Sequence, residues 1–300
     1  GTLGLATLAV VVLVAGLARP ASTEAITGAD GKPLPGSIAE LASVPIGGHD
    51  QSIMLRGNSV EAPVLLFLEG GPGGTALGSM RYSGGGLEEH FVVATWDQRG
   101  TGKSARALEP VATLTVAQAV SDTIEVSEYL RTRFGQSRIY LVGSSWGTIL
   151  GVLTAQQRPD LFRAYVGTGQ MVDPPETDKL MYAESLAYAA RVGDSGFAEQ
   201  LQAIGPPPYT DMLNYPVALS SNPDWDNYTP ATDHDNRSSY PASLFVPEYT
   251  LTEQVRAMAA MMDTFALMYP QVQDVDFRRD VPRLDVPVYL IEAAHEAPGR

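Results

Sequence analysis

The sequence predicts an α/β fold, a mostly parallel sheet flanked by helices and carrying an inserted helical cap. Three observations lead there. Short apolar runs with no polar face recur through the first half of the chain, each ends in a glycine-rich loop, and helix-like stretches stand between them. Strands buried on both faces and alternating with helices belong to parallel sheets. Ligands in such sheets bind beyond the carboxyl ends of the strands, so the loops should converge on one place.

Gly1 to Ala18 is an unbroken run of apolar or small residues, followed by Arg19-Pro20. About 20 apolar residues span a bilayer, whereas a signal peptide's apolar region is roughly 7 to 15 long. The length leans toward a membrane anchor; a signal cleaved after Gly16-Leu17-Ala18 and a buried helix are the alternatives. Either of the first two places the protein outside the cytoplasm. Residues 19–42 contain Gly, Pro, Ser and Asp without apolar periodicity and read as a spacer. A core is expected over 43–172, with the sheet opening at Ser52-Ile53-Met54-Leu55-Arg56; a cap follows over 173–285, and the core resumes at 286–300.

Pro63-Val64-Leu65-Leu66-Phe67-Leu68 and Phe91-Val92-Val93-Ala94-Thr95-Trp96 read as the next two strands. Thr115-Val116-Ala117-Gln118 has the form of a capping box and opens a helix along Val116, Val120, Thr123, Leu130 and Phe134, closed by Gly135. Arg138-Ile139-Tyr140-Leu141-Val142 is another strand. It runs straight into Gly143-Ser144-Ser145-Trp146-Gly147, and a nearly all-apolar helix follows as far as Arg158-Pro159. A G-x-S-x-G sequence between strand and helix is a nucleophile elbow, in which the glycines relieve crowding and the serine hydroxyl is lifted above the sheet. Ser145 is therefore the candidate nucleophile. Gly147 and Gly151 share one side of the helix and let it pack closely on the sheet.

Glu69-Gly70-Gly71-Pro72-Gly73-Gly74 follows its strand at once and offers backbone rather than side chains. Acyl transfer develops negative charge on one oxygen, which backbone N–H groups stabilise by about 3 to 4 kcal/mol each. The expected donors are Gly71 and Trp146, the residue after the nucleophile. Asp97-Gln98-Arg99-Gly100-Thr101-Gly102-Lys103-Ser104 ends like a phosphate-binding loop. However, Asp97 stands where that pattern needs glycine, and its carboxylate repels phosphate. Asp97 and Arg99 are expected to brace loop backbone.

Together, Glu-Gly-Gly-Pro-Gly-Gly, Asp-Gln-Arg-Gly-Thr-Gly-Lys-Ser and Gly-Ser-Ser-Trp-Gly resemble the proline iminopeptidase branch of the α/β-hydrolase superfamily. The resemblance runs from about residue 40 to 172, resumes at 286, and implies serine hydrolysis of N-terminal residues from peptides. It departs from the family at Glu69, where the first loop usually opens with histidine. Ala293-Ala294-His295-Glu296 is similar to the family loop that supplies the triad acid, which makes Glu296 the implied acid and leaves Glu292 too close to its strand. The partners follow the nucleophile in the order acid then histidine. His49 and His90 precede Ser145, His234 lies in the cap and His295 adjoins the acid. The resemblance therefore implies a base beyond Arg300, and a chain that is nearly inactive without it.

The family uses cap glutamates to hold the substrate's free amine. Here Glu176, Asp178 and Glu184 are candidates, with Glu69 beside the glycine loop. Met258, Met261, Met262, Phe265 and Met268 are spaced for a buried helix face. If they faced the site instead, they would suit a broad apolar substrate.

A net charge of −14 argues against nucleic acid as a partner. With no cysteine, thiol nucleophiles, disulfides and cysteine-ligated metals are excluded. No metal or organic cofactor is implied, and the expected partner is a peptide or a small ester or amide. Two rivals remain: an esterase or amidase with the same machinery, and a non-catalytic binding protein that kept the fold. An aspartate-nucleophile hydrolase such as an epoxide hydrolase is disfavoured by the serine at the apex.

Overall fold

The computed structural model describes residues 19–108, 110–219 and 242–292. Seven strands, β1 (Ile38–Ile46), β2 (His49–Gly57), β3 (Val64–Leu68), β4 (Val92–Asp97), β5 (Ile139–Ser144), β6 (Phe162–Thr168) and β7 (Val288–Ile291), form one sheet. Their order is β1-β2-β4-β3-β5-β6-β7. β1–β2 and β2–β4 pair antiparallel, and the remaining neighbours are parallel. β5 therefore lies deep in the parallel part, between β3 and β6. β6 has no counterpart among the strands expected from the sequence, because Arg163 and Gly167 interrupt its apolar run.

The sheet also starts earlier than expected. β1 pairs from Ile38 opposite Gly57 to Ile46 opposite His49, so it begins inside the stretch read as a spacer. The residues before it are bonded to the body. Ser22 N donates to Pro247 O at 3.0 Å, and the Arg56 guanidinium donates to Thr23 Oγ1 at 2.8 Å and to the Glu24 carbonyl at 2.5 Å. Such polar attachments leave no hydrophobic periodicity, which is why the segment looked unstructured.

Helices cover both faces of the sheet. On one, α2 (Val116–Arg133) and α3 (Trp146–Gln157) pack Val126, Leu130, Ile149 and Leu150 against Leu66, Leu68 and Leu141; each such burial contributes about 1.5–3 kcal/mol. Thr115 caps α2 by accepting from Gln118 N, but the expected capping box is only half formed, since the Gln118 amide donates to Asp122 instead. On the other face α1 (Ala76–Ser83) sets Met80 over Leu65 and Val93.

Between β6 and β7 the described residues are mainly helical: α4 (Pro174–Val192), α5 (Ser195–Ile204), α6 (Asn214–Leu219) and α7 (Leu251–Met268). α7 opens with a capping box between Thr250 and Glu253. It rests on the loops that follow β3 and β4: Thr264 Oγ1 donates to Gly100 O at 2.9 Å, and a Cβ on Gly73 would come within 2.5 Å of Met261 O. Backbone this close leaves room only for small residues along most of the helix, so the buried face of α7 is Ala257, Ala260 and Thr264, closed by Met268 at its end. Of the expected methionine face, Met268 is in the core and Phe265 packs against it, while the other three are not buried. Met258 is exposed and Met261 and Met262 are half-buried.

Among the described residues no helix is long and apolar enough to cross a membrane. The segment 1–18, which carried the anchor expectation, lies outside the described residues, as do His234, His295 and Glu296.

Candidate active site

Ser145 occupies the turn from β5 into α3 at φ 49° and ψ −119°. It is the one non-glycine residue at positive φ among the described residues. Such a conformation costs about 1–3 kcal/mol and persists only where its surroundings enforce it. Here Ser145 N donates to Thr168 O at 3.0 Å, and its carbonyl accepts from Thr148 N at 2.8 Å and from Thr148 Oγ1 at 2.5 Å. The flanking glycines are steric necessities. A Cβ on Gly143 would meet Gly147 O at 2.5 Å, and one on Gly147 would collide with the Leu68 carbonyl. The expected close approach of Gly151 is also present, against the ring of Tyr165. The half-buried Ser145 hydroxyl lies 3.9 Å from Met171 Sδ.

The glycine loop after β3 lies directly against the elbow. A Cβ on Gly70 would sit 3.2 Å from Ser145 Cβ. The Gly70 N–H is already engaged, donating to Glu69 Oε1 at 2.9 Å. The next N–H, that of Gly71, donates to nothing among the described residues. Trp146 is the first residue of α3, so its N–H has no intrahelical acceptor. The backbone N–H groups of Gly71 and Trp146 are thus both left without a protein acceptor among the described residues.

Glu69 is drawn into the loop. Its second oxygen accepts from Ser79 Oγ at 2.5 Å, and burial raises its pKa above the ordinary carboxylate value against the pull of the Ser79 and Gly70 hydrogen bonds. It anchors the turn where the family carries histidine. Glu176 and Glu184 are not brought to the elbow. Both lie on the exposed side of α4, and Glu176 is 3.8 Å from Lys179. The buried face of α4 presents Asp178, which accepts from Tyr269 Oη at 2.8 Å and from Gln273 Nε2 at 3.3 Å. Its charge is felt at Tyr215, whose hydroxyl is pushed up to about 12, first by burial and then by Asp178.

The Asp-Gln-Arg loop braces the site. The fully buried Asp97 accepts from Ala76 N at 3.0 Å, Lys103 N at 2.8 Å and Tyr249 Oη at 3.0 Å. Burial lifts its pKa to about 6, with these hydrogen bonds acting in the opposite direction. Arg99 grips Asp122 at 2.7 and 3.0 Å and donates to Gly47 O at 2.9 Å. Gln98, which the sequence did not single out, accepts from Trp146 Nε1 at 3.0 Å and donates to Glu69 O at 3.1 Å. Its position between two recognised motif residues was the available signal.

Beyond the loop lies an apolar cavity of about 280 Å³, lined by Gly71, Pro72, Tyr215, Met261, Met262 and Phe265 among others. Met261 and Met262, expected in the core, thus form part of a cavity wall next to the glycine loop. Glu292, set aside on sequence grounds, accepts from Gln170 N at 3.1 Å and so reaches the loop carrying Met171. His49 lines a different cavity and His90 is exposed; neither is hydrogen-bonded to Ser145. The described residues hold no group of three His, Asp or Glu able to bind a metal.

Comparison with known proteins agrees with the fold. The family model for the alpha/beta hydrolase fold matches residues 63–243. A Bacillus subtilis protein named probable aminopeptidase YbaC is 37% identical over 179 residues, which are 60% of this chain and 56% of that protein. A probable proline iminopeptidase of Leptolyngbya boryana is 35% identical over 109 residues, 35% of this chain and 30% of that one. The aligned parts thus span about half or less of these relatives' own lengths. Among solved structures, a laboratory-evolved potato epoxide hydrolase superposes with a TM-score of 0.54 at 15% identity, covering 86% of this chain and 82% of its own. An epoxide hydrolase of Vigna radiata gives 0.51 at 20% identity, covering 85% and 79%. At these identities the likeness is one of fold.

Proposed function

We propose, on the premise that this chain belongs to the α/β-hydrolase fold family, that it is a serine hydrolase of the aminopeptidase type that removes N-terminal residues from peptides. The observation that carries this reading is the strained Ser145 turn with unclaimed backbone N–H groups at Gly71 and Trp146. Ser145 Oγ attacks the scissile carbonyl, and the two N–H groups receive the charge that develops on its oxygen. Ser145 Oγ gives its proton to a histidine that follows the acid in chain order. The scissile C–N bond then breaks, the leaving peptide amine takes the proton that the base received from Ser145 Oγ, and water hydrolyses the acyl-enzyme on Ser145. Glu296 is the acid that orients this base, with Glu292 as the carboxylate the geometry keeps in play.

The substrate's first side chain enters the cavity walled by Met261, Met262 and Phe265, whose pliable thioethers accept proline or small apolar residues. Asp178, the carboxylate on the buried face of α4, takes the free amine in place of Glu176 and Glu184, which face solvent. The names of the two relatives support the peptidase over the esterase reading. Assaying the full-length protein on prolyl and alanyl arylamides beside short acyl esters tests the proposal. Arylamide turnover is expected, and ester turnover alone would reject the peptidase.

A further inference from the structure

A second cavity, of about 570 Å³, opens between β2, the 3-10 segment Gly102–Leu108 and the first turns of α7. No residue of the elbow or the glycine loop lines it. Its charged wall consists of Lys103, Arg106, Glu253, Arg256 and Asp50, with His49 beside them. Lys103 and Glu253 neutralise one another, since the amine reaches both carboxylate oxygens at 2.8 Å. Arg106 and Arg256 have no ion-pair partner among the described residues. Set against Asp50, the remaining wall is net cationic among the described residues, in a chain whose net charge is −14.

Two guanidinium groups on separate elements, one on the core and one on the cap, repel across such a space unless an anion sits between them. Guanidinium forks match carboxylate and phosphate oxygens in geometry as well as charge. The volume falls within the range of about 300 to 1,000 Å³ that ligand sites occupy and exceeds what a bare inorganic ion fills. We propose that this cavity binds a small organic anion, a metabolite bearing a carboxylate or phosphate group, held between Arg106 and Arg256. His49 and the hydroxyls of Ser43 and Thr252 supply the remaining hydrogen bonds. The bound anion would tie α7 to the core beside the Lys103–Glu253 pair, on the helix that also carries Met261 and Met262.

The test is calorimetric titration of the full chain with citrate and with glucose 6-phosphate, each against sodium chloride at matched ionic strength. Saturable binding of either probe is expected, and which one binds separates carboxylate from phosphate recognition. Arg106→Glu with Arg256→Glu should weaken binding at least tenfold, whereas Asp50→Asn should tighten it about threefold. Both arginines are exposed, so the fold should survive; Arg106→Gln with Arg256→Gln is the milder variant and should also weaken binding. Absence of binding beyond the chloride control, or binding undiminished in both double variants, overturns the proposal.

Discussion

The indole of Trp146 donates to Gln98 Oε1 at 3.0 Å, and through the Gln98 amide, which donates to Glu69 O at 3.1 Å, the elbow is bonded to the start of the glycine loop. Two loops from different strands are thereby held at a fixed separation, as a pair of backbone donors around one oxygen requires. Gln98→Ala removes both hydrogen bonds and strands a buried indole N–H, which costs about 1–3 kcal/mol of stability. The expected kinetic result is a fall in kcat of about 10- to 100-fold with KM little changed, read from steady-state arylamide hydrolysis.

Gly151 tests the packing beneath the elbow. Alanine in an exposed helix interior would be favourable by about 1 kcal/mol, but here a Cβ collides with the ring of Tyr165. Overpacking of this kind costs about 1–3 kcal/mol. Gly151→Ala should therefore lower the urea midpoint, and an unchanged or higher midpoint would show that Tyr165 yields without cost.

Asp97 gives stability a distinctive dependence on pH. Its folded pKa of about 6 lies above the ordinary value of 3.8 because of burial. Between those values the folded state binds the proton more tightly than the unfolded chain, so this group's contribution falls as pH rises from about 4 to 6 and is flat above. The span corresponds to about 3 kcal/mol. Asp160, Asp276 and Asp280, whose pKa values are lowered by arginine partners, act in the opposite sense. Comparison of the wild type with Asp97→Asn isolates the one group: the difference in unfolding free energy between the two should shift in favour of the variant as pH rises from 4 to 6.

The cavity beside the glycine loop is predicted to set specificity. Met262→Trp should fill part of its volume of about 280 Å³. The expected result is a fall of about tenfold in kcat/KM for prolyl arylamide, with turnover of acetyl esters nearly preserved. A parallel loss on both substrates would place the cavity outside the substrate's path.

Asp178→Asn keeps the shape of the side chain and removes its charge. If Asp178 holds the free amine, KM for unblocked arylamides should rise about tenfold or more with a smaller change in kcat, while esters lacking an amine are unaffected. Thermal unfolding of the variant shows whether its contacts with Tyr269 and Gln273 survive.

What the sequence made legible is local. Gly143, Ser145 and Gly147 announce a turn whose constraints are met within a few residues, and the Thr115 cap is settled by its neighbour Gln118. Asp97 and Arg99 were readable as braces because a loop that cannot cradle phosphate must use its polar groups on itself. The structure departs from the sequence where the deciding contact is distant. Met261 and Met262 were assigned to the core by spacing, yet the backbone at Gly73 and Gly100 excludes large side chains and turns Ala257, Ala260 and Thr264 inward. Nothing near Glu176 and Glu184 tells that they face solvent while Asp178, on the same helix, faces Tyr269. Ile38 opens the sheet because Gly57 lies opposite it, and the attachments of Thr23 and Glu24 to Arg56 leave no periodic trace.

The central claim is that Ser145 is a nucleophile. The most direct measurement is mass-spectrometric mapping of fluorophosphonate labelling in the full-length protein, with and without Ser145→Ala. A single modified residue is expected, Ser145, with both labelling and arylamide hydrolysis abolished in the variant. Labelling at another residue, or arylamide hydrolysis that survives Ser145→Ala, would contradict it.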